Sequence, residues 1–215
     1  MNELLKHMQK LDLKVSLKEA EKMLPAFNNP DTQSDRIKNL AHHLSSVIQS
    51  ELDGEMFFQL ESSKTEYWHP AWLVDSPIYT LFPRAHEEIQ CAGRCYAYGE
   101  STACVFHLMR VIDSGLCVVA DSLKINHDAR NWSAIGTKIQ KKMEEKYQTK
   151  TDDWKRSEPF YASILTDIQA ISRGHRNPVL HEVEKKYTDP EARYLLAVTE
   201  AFMGHLAENG MREKQ

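Results

Sequence analysis

Glycine and proline are scarce, eight of each in 215 residues. A chain so poor in turn formers, and rich in Leu, Ala, Glu and Lys, leans helical. Positive charge is not in excess: 27 Lys and Arg stand against 31 Asp and Glu, a formal net charge of -4. Affinity for nucleic acid comes largely from cations that neutralise phosphates, so tight, non-specific coating of long duplexes is not expected; a local basic cleft is allowed. None of the four cysteines, Cys91, Cys95, Cys104 and Cys117, stands in a C-x-x-C pair, and they read as buried, reduced thiols. No run approaches the roughly 18 apolar residues of a spanning helix, and the first residues are mixed and polar, so the expectation is a cytoplasmic protein with no membrane contact. H-E-x-x-H is absent, and the adjacent His42 and His43 point about 100° apart on a helix, so neither a metal site nor a cofactor is expected. There is no internal repeat and no low-complexity tract.

What is present is a globular balance, 41% hydrophobic and 27% charged residues, enough for one domain with an appended arm. Apolar spacing predicts helices over 2–11, 17–27 and 35–52, the second capped by Ser16 with Glu19 completing a capping box. Residues 56–60 are too few to assign. Glu66 to Pro83 is irregular and holds Tyr67, Trp68, Trp72, Tyr79 and Phe82, which read as an extended segment glued to a helical core. Longer helices follow. One begins at Pro83 and closes at Gly99, and the next covers 100–123. One capped by Asn131 runs from Trp132 to near Tyr147. Another opens at Thr151 or Asp152 and stops at Gly174. The last starts at Asp189-Pro190, with Gly210 beyond its end. The expected fold is all-α: an antiparallel bundle over 83–215 with an N-terminal helical extension, 1–82, packed on it.

The helix at 100–123 is apolar nearly all round, as a central buried helix is. It carries one polar seam, Glu100, His107, Arg110 and Ser114, at offsets that share a side. Buried charge is costly unless paired, so the seam faces a polar partner, a cleft or solvent; an internal pair of Glu100 with Arg110 is the structural reading.

The chemically dense segment is Ser172-Arg173-Gly174-His175-Arg176-Asn177-Pro178-Val179-Leu180-His181, two His and two Arg in ten residues. Pro178 is expected to push Asn177 out of helical geometry and let it cap a short turn, with His181 in that first turn. Exposed amides there disfavour imidazolium, leaving a neutral imidazole to act as general base. Arginine supplies a permanently charged fork suited to phosphate oxygens. A His that takes the ribose 2′-hydroxyl proton and an Arg that stabilises the phosphate are a minimal kit for cutting RNA without metal. The spacing alone also fits a structural Arg and His at a helix junction.

In this context the R-N-x3-H motif, Arg176, Asn177 and His181, resembles that of the HEPN family (higher eukaryotes and prokaryotes nucleotide-binding domains). Tyr98-Gly99-Glu100-Ser101-Thr102-Ala103-Cys104, continuing through His107 and Arg110, is similar to the family's pattern as well. So is Glu182 to Thr188. The resemblance covers about residues 83–208. It implies a four- or five-helix bundle, a homodimer with a composite cleft, and RNA as substrate. It also implies an endoribonuclease of toxin–antitoxin or phage-defence systems, with an antitoxin or defence protein as partner. Arg176, His181 and Asn177 become the catalytic candidates, with Glu100, His107, Arg110 and His175 in support. Other members of the family are non-catalytic binding modules, which is the alternative.

Overall fold

A computed structural model describes residues 2–68, 76–126, 131–182 and 184–213. It is all-α, with no strand among the described residues. The chain divides into two compact units, 1–59 and 60–215.

The first unit holds α1 (Asn2–Lys10), α2 (Lys14–Asn28) and α3 (Ser34–Leu52). Met8, Leu13, Ala20, Met23 and Leu44 form its core. Ser16 does not cap α2; it is buried inside the helix. The cap comes from α3, where Glu51 accepts from the Val15 and Ser16 amides at 2.8 and 2.7 Å and from the Ser16 hydroxyl. A carboxylate at a helix N-terminus satisfies orphan amides and meets the positive end of the dipole.

The second unit begins well before residue 83. α4 (Thr65–Trp68) and α5 (Pro77–Leu81) are short helices, so much of the described part of this stretch is helical, not extended as expected. Tyr67 meets Tyr96 edge-on with centroids 4.9 Å apart, and Tyr79 stacks on His86 at 3.7 Å. Ile78 and Phe82 belong to the main core, which is why the unit boundary falls after Gln59 rather than after Phe82. Trp72 lies outside the described residues. A 3-10 turn, Pro83–Ala85, leads into α6 (His86–Ala97), and Gly99, at φ +83° where a Cβ would be strained, turns the chain into α7 (Ser101–Ser122).

α7 is the centre of the unit, packed against α6 and against α11 (Asp189–Glu208). By length and composition it is apolar enough to cross a membrane, contrary to the expectation that no stretch comes close. Here most of its apolar side chains, among them Cys104, Val105, Leu108, Val111, Leu116, Val119 and Ala120, are buried in the protein core. Gly115 allows α11 to approach, since a Cβ there would lie 2.7 Å from Leu206 Cδ1 and Met203 Sδ. α8 (Trp132–Glu144) and α9 (Asp152–Ile171) pack together. Their N-termini are capped by Asn131 and Thr151, as the sequence predicts. α11 opens with a capping box between Thr188 and Glu191.

Candidate functional site

Gly174 does not stop α9. The helix continues through a π-helical turn, Ser172–Arg176, into α10 (Asn177–His181). The cause is Pro178, which has no N–H to donate and whose ring would meet the carbonyl four residues back. A wider turn relieves this: the Asn177 amide donates to the Ser172 carbonyl, five residues earlier. Asn177 is therefore helical, at φ -65° and ψ -46°, and does not cap a new turn as expected. Single π turns inside α-helices occur often at functional sites.

Within this turn the Arg176 side chain is held from two sides. Its guanidinium carbon lies 5.7 Å from the centroid of the Trp132 ring, and Nη1 donates to Asn177 Oδ1 at 3.2 Å. Its Nε is buried with no hydrogen-bond partner. Trp132, the first residue of α8, is itself anchored, since its indole N–H donates to the Asp113 carboxylate on α7. An Arg over an indole face is attracted electrostatically by the ring. Arg173, one turn earlier and exposed, lines a depression of about 230 Å³ with Trp132, Gly136 and Gln169. Neither Trp132 nor Arg173 is among the site residues expected from the sequence. Trp132 is 44 positions away in the chain, and nothing local marks it.

His181 is the last residue of α10 and is exposed. It stands at the carbonyl end, not in the first turn, so the helix-end argument for an uncharged imidazole does not apply. Arg176 and His181 are five positions apart, about 140° around a helix. The two side chains diverge within one chain, and no hydrogen bond joins them among the described residues.

His175 turns towards the other side. Its Nδ1 is buried without a partner, and burial, together with Lys185, lowers its pKa below the usual histidine value. Its backbone carbonyl accepts from the Tyr187 hydroxyl at 3.1 Å, which ties the turn to the segment before α11.

The polar seam of α7 has a partner, but a different one from that expected. His107 Nδ1 is 2.7 Å from Glu88 Oε2 and Arg110 Nε donates to Glu88 Oε1. Glu88 sits on α6. Burial of this carboxylate works against ionisation, yet the hydrogen bonds from His107 and Arg110 outweigh it and hold the pKa below the ordinary value. Ser114 donates to the Arg110 carbonyl. Glu100 is exposed at the cap position of α7 and does not pair with Arg110. Among the described residues, Glu100, His107 and Arg110 make no hydrogen bond to Arg176, Asn177 or His181, and no three His, Cys, Asp or Glu side chains cluster as a metal site would require.

No family model, no curated protein and no solved structure matches this chain.

Proposed function

We propose that this chain is a metal-independent endoribonuclease of the HEPN type, acting as a toxin or phage-defence effector, with a composite cleft formed by two copies. The observation that carries the reading is the π turn, which holds Arg176 between Trp132 and Asn177 and leaves His181 exposed at the end of the same short helix. Because those two side chains diverge by about 140° around one helix, a phosphodiester between two copies can meet Arg176 of one and His181 of the other. The imidazole takes the proton of the ribose 2′-hydroxyl, and the 2′-oxygen attacks phosphorus. The bond to the 5′-oxygen breaks, and that oxygen leaves with a proton as a 5′-hydroxyl. The other product is a 2′,3′-cyclic phosphate. The guanidinium stabilises the charge that builds on the phosphoryl oxygens.

The test is RNA cleavage by the purified full chain, with and without chelator, beside His181→Ala. Cleavage that ignores chelator and is lost in the variant supports the reading; unchanged cleavage by the variant overturns it. A second reading is a non-catalytic binding module, favoured by the net charge of -4 and by the lack of any described side chain hydrogen-bonded to His181. It predicts binding of a nucleotide or a protein without turnover.

A further inference from the structure

Beside the π turn, on the side away from Trp132, α9 and α11 stand apart. Between them runs a groove of about 400 Å³. Asp167, Ile171 and His175 line one wall, and Tyr194, Phe202 and His205 the other. We propose that this groove is a nucleobase subsite, which seats the heterocycle adjoining the phosphate held by Arg176, with its face on Tyr194 and its edge against Asp167, His175 and His205. The proposal rests on the ribonuclease reading for its biological use, and it names the substrate contact that reading lacks.

Four observations converge on a base. The groove has the volume of a small-molecule site and mixes an apolar floor with a few polar groups, as such sites do. No Lys or Arg is among its lining residues and Asp167 is, so a phosphate is not the group it selects. Phe202 is buried while Tyr194 is 62% exposed, an aromatic face free for stacking above an apolar base; base–aromatic stacking tolerates any sequence and adds affinity base by base. The edge groups have unused capacity: the Asp167 carboxyl and the His205 ring, both lining the groove, make no side-chain hydrogen bond among the described residues. Burial raises the Asp167 carboxyl, against the pull of His205, and its oxygens can accept from the amino edge of a base. His175 also directly precedes Arg176. Adjacent helical residues point about 100° apart, so one turn addresses a base on one side and a phosphate on the other.

The experiment is equilibrium binding of adenosine, guanosine, cytidine and uridine to the full chain, with ribose 5-phosphate as the base-free probe. At least one nucleoside is expected to bind and ribose 5-phosphate is not. Tyr194→Ala, at an exposed position, is expected to weaken that nucleoside about fivefold or more, and Asp167→Asn to change the order of preference among the four. Circular dichroism checks that both variants fold. Absence of nucleoside binding, binding indifferent to both variants, or competition by ribose 5-phosphate overturns the proposal. So does a Tyr194→Ala chain that shifts from dimer to monomer while no nucleoside binds, since the groove then seats a second copy. Nucleosides carry no scissile phosphate, so this result is independent of the cleavage test: either can fail while the other stands.

Discussion

Glu88→Gln separates an internal ionic network from a reacting group. The Glu88 side chain is 16% exposed, and its partners His107 and Arg110 are 26% and 54% exposed. Hydrogen bonds to charged groups contribute about 1.5–3 kcal/mol each. The bond to half-exposed Arg110 is worth well under ~1 kcal/mol after solvent screening. Glutamine keeps the shape and one acceptor, so the expected loss is about 1–2 kcal/mol. For a unit of this size that is a fall of about 2–8 °C in melting temperature. The loss also has a pH signature. The folded carboxyl has a pKa below the ordinary 4.5, so its stabilisation is complete above the unfolded value and disappears as pH falls through the folded one. Urea unfolding followed by tryptophan fluorescence is expected to separate wild type from Glu88→Gln at about pH 7 and to narrow that separation at about pH 4. Equal separation at both values, or none at the higher, would refute the argument.

Other perturbations test the packing and the turn. Gly115→Ala places a methyl 2.7 Å from Leu206 and Met203, both 0% exposed; thermal melting is expected to show about 1–3 kcal/mol of destabilisation from overpacking. Phe82→Ala empties a fully buried site and is expected to cost about 3–5 kcal/mol in chemical denaturation; a negligible cost would return residues 60–82 to a peripheral role. His175 has a folded pKa below its ordinary 6.5 through burial and Lys185. The unfolded chain therefore takes the proton first as pH falls. Wild type is expected to lose stability relative to His175→Gln as pH drops below that value, a difference read from melts across the pH series.

Several features of the fold were visible in local chemistry. Asn131 and Thr151 announce helix starts because a capping side chain acts within three residues, and Gly99 and Gly210 announce ends because only a positive φ suits them there. The central place of α7 follows from apolar residues on every face. What escaped depends on distant partners. Ser16 with Glu19 matches a capping box, yet Glu51, 35 residues away from Ser16, takes the amides. Glu88 looks like an ordinary charge in the first turn of α6, and only the packing of α6 on α7 brings it to His107 and Arg110. Gly174 and Pro178 read as a stop and a restart. The helix instead absorbs both by widening one turn, and that choice moved His181 from the amide end to the carbonyl end. Trp132, the surface on which Arg176 rests, is invisible to any motif confined to residues 172–181.

The widened turn acts like an extra tooth on a gear. Every residue after it is rotated by about 100° relative to an uninterrupted helix. A Cβ at Gly174 would meet nothing within 4 Å, so this position of the turn faces open space. Dropping that one residue would press the Pro178 ring back on the carbonyl four residues before it and swing Arg176, Asn177 and His181 together to a new bearing, with every letter of the motif intact. The number of residues in this turn therefore aims the segment as much as their identity does, and a change of length there would silence or redirect it without altering a single side chain of the motif.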